Sequence, residues 1–321
     1  MANLVITTEC NGVCPFCFAQ DFVQKPVQRM DAAMVERVAR FCAGENRMQL
    51  IGGEPTLHPE VATFVDLLAR QQPAPIIFVV TNLMGPTPTI ESLLAKGKCN
   101  FLVNLHGSQF AKNPALRERF QTNLALFKAR RFYLSLGITL FSKTQDFEYL
   151  YSLLRQDEGQ AVGELRISPA VPTAANQILQ GIEVGEKWLE IVKRVHQICP
   201  EIRVTNDCPV INGCMFKPET YRQLAASVER MCFAACTGFN CPFDILPDGS
   251  ARFCLGTTGV AEASLPDVFA FADIRAARYA LNMRMHHWRR TRGFKSCAHG
   301  DCDFLACHGV CPAYLHYQNP A

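Results

Sequence analysis

Short β-type runs separated by amphipathic, helix-spaced segments recur from the first residues to about position 205, and this alternation leaves few folds open. Strands that alternate with helices pair in parallel, because the crossover helix returns the chain to start each strand in the same direction. Residues 4–7, 48–51, 76–80, 101–105, about 133–140, and 164–168 read as six such strands. Asp31 is placed to cap a helix whose Met34, Val35, Val38, Phe41 and Cys42 fall on one face. Pro59 suits a first helical turn ahead of Val61, Phe64, Val65 and Leu68, and Trp188, Ile191, Val192, Val195 and Ile198 mark a later helix. A parallel α/β sheet of this kind carries its site at the carboxyl ends of its strands.

The cysteines set the chemistry. The chain has 16 of them in 321 residues. No basic segment followed by a long apolar core opens the sequence, so it reads as a cytoplasmic chain, where thiols stay reduced and clustered cysteines argue for metal. Cys42, Cys99 and Cys199 sit in apolar helical or strand surroundings and read as packing residues. A net charge of +3 is too small to predict a nucleic-acid or membrane partner, and no apolar run approaches a membrane span.

Three cysteines follow the first strand as Cys10-x3-Cys14-x2-Cys17. Three thiolates can hold three irons of a four-iron cluster and leave the fourth open, and a metal with a vacant position is suited to catalysis. Structural zinc sites take four ligands, usually as two paired motifs, and only three lie here. The second strand ends in Gly52-Gly53-Glu54-Pro55, where two glycines permit close backbone approach and Glu54 adds an anion. Together these motifs resemble the radical S-adenosylmethionine (radical SAM) superfamily. The resemblance implies a partial (β/α)6 TIM-type barrel over residues 1–205 and an N-terminal 4Fe-4S cluster on Cys10, Cys14 and Cys17. It also implies an adenine packed near Phe16, and a methionine ammonium at Gly52, Gly53, Glu54 and Pro55. Strand ends offer further contacts: Asn82 on the third, Asn104 and His106 on the fourth, where relatives often present polar groups to the ribose. Arg166 on the sixth has a guanidinium that matches a carboxylate.

Beyond residue 230 the composition changes. Cys232, Cys236, Cys241 and Cys254 are followed by Cys297, Cys302, Cys307 and Cys311, with a strand, an Asp248-Gly249 turn and a second strand over 243–254. Order and turn resemble a SPASM domain, a small cysteine-rich α+β extension that holds auxiliary iron-sulfur clusters, here over residues 231–321 after a bridging region at 206–230. That resemblance places Cys236, Cys241, Cys254 and Cys311 around a first auxiliary cluster and Cys297, Cys302 and Cys307 around a second. No cysteine follows Cys311 to complete the second, so its fourth ligand is Cys208, Cys214, Cys232, a non-cysteine side chain or substrate, or one auxiliary cluster forms alone. A zinc module that staples a small domain is the competing reading. The basic run 284–295 reads as a solvated helix face.

The resemblance implies reductive cleavage of S-adenosylmethionine to a 5'-deoxyadenosyl radical that abstracts a substrate hydrogen. An electron donor such as flavodoxin or ferredoxin would supply the electron. A peptide or protein is the first expectation for the substrate, to be crosslinked, epimerised or oxidised. Against that expectation, the first strand begins too early for a preceding leader-recognition domain, for which a separate peptide-recognition protein could compensate. A small-molecule dehydrogenase or epimerase acting on a sugar or amino-acid derivative is the alternative, and a non-enzymatic iron-sulfur protein a third reading. The sequence nominates no catalytic acid or base.

Overall fold

The computed structural model describes residues 1–23, 26–105, 107, 110, 113–156, 161–173, 182–206, 216–228, 243–292, 312–313 and 316. Seven parallel strands follow one another across a sheet: β1 (Ala2–Thr7), β2 (Arg47–Gly52), β3 (Ile76–Thr81), β4 (Asn100–Asn104), β5 (Leu134–Leu140), β6 (Val162–Pro169) and β7 (Arg203–Asn206). Between them run α1 (Gln20–Val23), α2 (Ala32–Phe41), α3 (Val61–Ala69), α4 (Thr87–Lys96), α5 (Pro114–Ala129), α6 (Glu148–Arg155) and α7 (Ile182–Ile198). This is the expected partial TIM-type barrel, extended by one strand. Residues 203–206 escaped the sequence reading because four residues give too little alternation to stand out.

Local chemistry sets the ends of the helices. Asp31 accepts a hydrogen bond from the Met34 amide at 2.7 Å and so caps α2 as expected. Helix α3, by contrast, opens at Val61 behind Glu60, two residues later than Pro59 suggested. The His58 ring and carbonyl take the Glu60 and Val61 amides, at 3.1 and 3.3 Å, and use up the turn in which Pro59 sits.

The sheet divides its two faces by chemistry. Leu4, Ile6, Met48, Leu50, Ile77, Val79, Phe101, Val103, Leu136, Ile138, Leu165 and Ile167 are buried against the helices and form the main core. Their neighbours in sequence point to the other face, since side chains alternate along a strand. In register, that inner face carries Asn3 beside Gln49, Ser135 beside Glu164, and the row Asn104, Gly137, Arg166 and Thr205. A parallel sheet packed on both sides would be apolar throughout. The polar inner face is therefore the one available to a ligand.

The expected boundary at residue 231 is not a break in the sheet. Strand β8 (Phe243–Ile245) pairs in parallel with β1, with Asn3 opposite Asp244, and turns back through β9 (Ala251–Arg252) to β10 (Ser264–Leu265). The order is β10-β9-β8-β1-β2-β3-β4-β5-β6-β7, so β1 is an interior strand. Gly249 at φ 82° makes the expected Asp-Gly turn, and Asp248 accepts from the Ser250 amide at 2.9 Å. The region given as a bridge contains α8 (Pro218–Ser227), whose flanking Phe216 meets Trp188 of α7 at 6.2 Å. Among the described residues no helix is long and apolar enough to cross a membrane.

Helix α9 (Ile274–Arg292) closes the described fold and is tied to the barrel by charge. Arg278 donates to both carboxylate oxygens of Glu45 at 3.0 Å and to the Met1 carbonyl at 2.8 Å. Burial pushes the Glu45 carboxyl up, but Arg278 and the Met1 ammonium outweigh it and hold the group below its ordinary 4.5. Such a pair contributes stability above the ordinary value and loses it as pH falls through the lower folded one. Arg278→Ala should cost about 3 kcal/mol in chemical unfolding at pH 7 and flatten the acid side of the stability profile. An unchanged midpoint would show that the pair does not fasten α9.

Candidate active site

The chain leaves β1 at Thr7 and enters the cysteine loop, and the end of β2 presses directly against it. The Gly53 amide donates to the Thr7 carbonyl at 2.9 Å and the Glu54 amide to the Glu9 carbonyl at 2.7 Å. A Cβ on Gly53 would lie 2.2 Å from the Glu9 carbonyl oxygen and 2.9 Å from Cys10 Cβ, and one on Gly52 would lie 2.3 Å from the Thr7 carbonyl oxygen. The glycines therefore serve contact between strand end and loop before any ligand is considered.

Cys10, Cys14 and Cys17 are all partly exposed on this loop, and none is in a disulfide. The Cys10 sulfur accepts the Gly12 amide at 3.4 Å, and the Cys17 amide donates to the Cys14 carbonyl at 3.2 Å. Burial pushes the Cys10 thiol up to about 11 and raises that of Cys17. A positive metal offsets that cost, since coordination deprotonates a thiol. Among the described residues no three Cys, His, Asp or Glu side chains converge as ligands of a single ion. A four-iron cluster asks for something different, one thiolate per iron, and a loop of three thiols suits that donor set.

The residues singled out around the loop occupy definite places. Phe16 is 6% exposed and stacks on Phe141, just past β5, at 4.7 Å. Pro55 is buried and opens a short 3-10 turn. Glu54 is fully enclosed: one carboxylate oxygen accepts from the Thr56 amide (3.1 Å), Thr56 hydroxyl (2.5 Å) and Thr81 hydroxyl (2.6 Å), the other from the Asn82 amide at 2.7 Å. Burial pushes its carboxyl up, yet two of its partners are backbone N–H groups that can only donate, which suits an ionised acceptor. Glu54, expected beside a ligand ammonium, is held within the protein by these four contacts. Asn82, expected at a ligand, donates to Asn11 Oδ1 at 2.7 Å and accepts from the Met84 amide at 2.8 Å.

A second cluster lies on the inner face of β4 to β6. Arg166, 7% exposed, donates through Nε to the Ser135 hydroxyl at 2.9 Å and through Nη2 to Asn104 Oδ1 at 3.4 Å. The Ser135 hydroxyl donates to Glu164 at 2.6 Å, and Glu164 also accepts from Thr205 at 3.1 Å. Gly137 stands between Asn104 and Arg166 in register, and a Cβ there would lie 2.6 Å from Asn104 Oδ1 and 2.9 Å from Arg166 Nη2. Its missing side chain is what lets a β4 amide meet a β6 guanidinium across β5. Of the C-terminal cysteines only Cys254 is described. Its sulfur accepts the Gly256 amide at 3.4 Å, the same Cys-x-Gly contact that Cys10 makes. His106, Cys208, Cys214, Cys232, Cys236, Cys241, Cys297, Cys302, Cys307 and Cys311 lie outside the described residues.

Sequence reasoning missed Asn11, Thr56, Ser135, Gly137 and Glu164. An isolated glycine within a strand is a signal for close approach, and Gly137 could have been found that way. Cys42 and Cys99 are buried in the core as expected, and Cys199 donates weakly to the Leu154 carbonyl at 3.6 Å.

A cysteine loop at the head of a partial parallel barrel, braced by a Gly-Gly-Glu-Pro strand end, is the arrangement that the resemblance to radical SAM enzymes implies. Residues 4–146 match the family model described as the Radical SAM superfamily. The fold is similar to that of Streptococcus suis SuiB bound to S-adenosylmethionine, at 14% identity and a TM-score of 0.70, over 98% of this chain and 73% of that one. It is also similar to anSMEcpe bound to AdoMet and the Cp18Cys peptide, at 15% identity and a TM-score of 0.65, over 100% and 91%. SuiB bound to its precursor peptide SuiA aligns with a TM-score of 0.61 at 14% identity, over 81% and 60%. No curated protein sequence matches the chain.

The close approach at Gly53 is testable. Gly53→Ala must push the Cys10 loop aside, at a cost of about 1–3 kcal/mol. The thermal midpoint should fall, and the loop thiols of metal-free protein should alkylate faster than in the parent. Unaltered stability and alkylation would contradict the contact.

Proposed function

We propose that Cys10, Cys14 and Cys17 hold a 4Fe-4S cluster whose fourth iron takes S-adenosylmethionine, and that the chain uses it to modify a peptide or protein substrate. The observation that carries this reading is the three-thiol loop braced by Gly53 and Glu54 at the carboxyl end of β1. When bound, the cluster supplies one electron for reductive cleavage of S-adenosylmethionine, giving a radical able to abstract an unactivated hydrogen.

The chain's own residues bind and orient. Backbone carbonyls at Gly52 and Gly53 are the acceptors for the methionine ammonium, since the Glu54 side chain is engaged elsewhere. Arg166, fixed by Ser135 and Asn104, offers the guanidinium that recognises the methionine carboxylate. Phe16 and Phe141 form an apolar wall beside the loop for the adenine. An external one-electron donor of flavodoxin or ferredoxin type is required. A polypeptide substrate is supported by the likeness to SuiB and anSMEcpe, both of which carry peptides in their structures. Cys254 belongs to an auxiliary cluster with Cys236, Cys241 and Cys311, with Cys297, Cys302 and Cys307 serving a second; the amide-to-sulfur contact at Cys254 supports its part.

Anaerobic incubation of reconstituted protein with dithionite and S-adenosylmethionine should release 5'-deoxyadenosine. Cys14→Ala should abolish that release while iron bound to the C-terminal cysteines stays. Cleavage that persists in the variant would refute the ligand assignment.

A further inference from the structure

Residue 83 is a leucine in a left-handed conformation, φ 59°, a backbone state that costs a branched side chain free energy and persists only where neighbours enforce it. The neighbours here are several. The Leu83 amide donates to the Thr81 hydroxyl at 2.9 Å. Buried Asn123 of α5 donates to the Leu83 carbonyl at 2.9 Å and the Gly85 carbonyl at 3.1 Å. Gly85 is pressed so close that a Cβ would lie 1.9 Å from the Thr56 hydroxyl. All this holding presents two groups to one target. Asn82 Nδ2 donates to Asn11 Oδ1 at 2.7 Å, and the Met84 carbonyl accepts from Asn11 Nδ2 at 2.8 Å, so the side-chain amide of Asn11 is gripped at both ends.

Asn11 immediately follows Cys10, and Glu9 immediately precedes it. Glu54 governs both flanks: its amide holds the Glu9 carbonyl at 2.7 Å, and its carboxylate holds the Asn82 amide at 2.7 Å, whose side chain holds Asn11. We infer that Asn11 and Asn82 form an amide clasp which, with Glu54, positions Cys10 for its metal, and that Asn82 and Glu54 act on the site through the loop rather than by touching the bound cofactor. This rests on the reading of Cys10 as a cluster ligand. Polar residues that orient a metal ligand change metal affinity by about 10–100-fold when removed.

The test is the rate at which a chelator strips iron from the anaerobically reconstituted full chain, measured for Asn11→Ala, Asn82→Ala and the double variant. Each single change should speed release from the N-terminal site about tenfold, and the double should be no faster than either, because the clasp is already open. Asn82→Asp, which keeps the shape but cannot donate to Asn11 Oδ1, should behave as Asn82→Ala. Variants with the parent's circular dichroism establish that the fold is kept. Multiplying effects in the double variant overturn the clasp. So does an Asn82→Ala protein that releases iron at the parent rate while losing the spectral change on adding S-adenosylmethionine, since Asn82 would then be a ligand contact. A parent chain that takes up no iron at the N-terminal loop sinks the cluster reading and the clasp's function with it, an outcome distinct from a loaded chain whose variants fail to couple.

Discussion

Contact between the end of β2 and the loop after β1 organises this molecule. Two strand ends normally diverge above a parallel sheet, where loops spread to make room for side chains. Here two glycines remove that need, and the Glu9 carbonyl and Cys10 Cβ occupy the space a side chain on Gly53 would fill. The loop is then fixed at its root by backbone hydrogen bonds and at Asn11 by the β3 turn. A cysteine held on both sides loses little further freedom when it meets a metal, which is how a protein raises affinity without adding ligands.

The sheet supports this arrangement by giving its faces different chemistry. The outer face supplies the apolar core with the helices, while the inner face keeps amide, hydroxyl, carboxylate and guanidinium groups that satisfy one another. Buried polar groups are tolerable only when partnered, and the linked set from Thr205 through Glu164, Ser135 and Arg166 to Asn104 meets that condition. It also holds Arg166 still. A pre-oriented guanidinium recognises a carboxylate at lower entropic cost than a free one. Because β1 is flanked by β2 and β8, one strand connects the two cysteine regions, leading into Cys10 while the β8 hairpin leads into Cys254. Asp244 ties that hairpin down, accepting from Asn3 and from the Leu255 amide at 2.7 Å each. Burial pushes its carboxyl up to about 7.

Much of the barrel was legible because its signals are local. Strand periodicity, the Asp31 cap, the Asp-Gly turn and the three-cysteine spacing all lie within a few residues of what they specify. Contacts made across long sequence distance were not. Asn3 and Asp244 are 241 residues apart, and nothing near residue 243 announces that a three-residue strand will pair with β1. The internal partners of Glu54 and Asn82 were not legible, because only the fold brings Thr81 and Thr56 to the carboxylate and Asn11 to the amide. Asn11 lay inside the most conspicuous motif and went unread, because a neutral amide between two cysteines carries no chemistry until a partner is seen.

The central claim is that the N-terminal loop carries an incompletely ligated four-iron cluster. Electron paramagnetic resonance of the dithionite-reduced, anaerobically reconstituted Cys254→Ala protein, titrated with S-adenosylmethionine, addresses it most directly. The account predicts a reduced-cluster signal whose g values shift as the cofactor binds the open iron. A signal indifferent to S-adenosylmethionine, or zinc in place of iron at Cys10, Cys14 and Cys17, would contradict it.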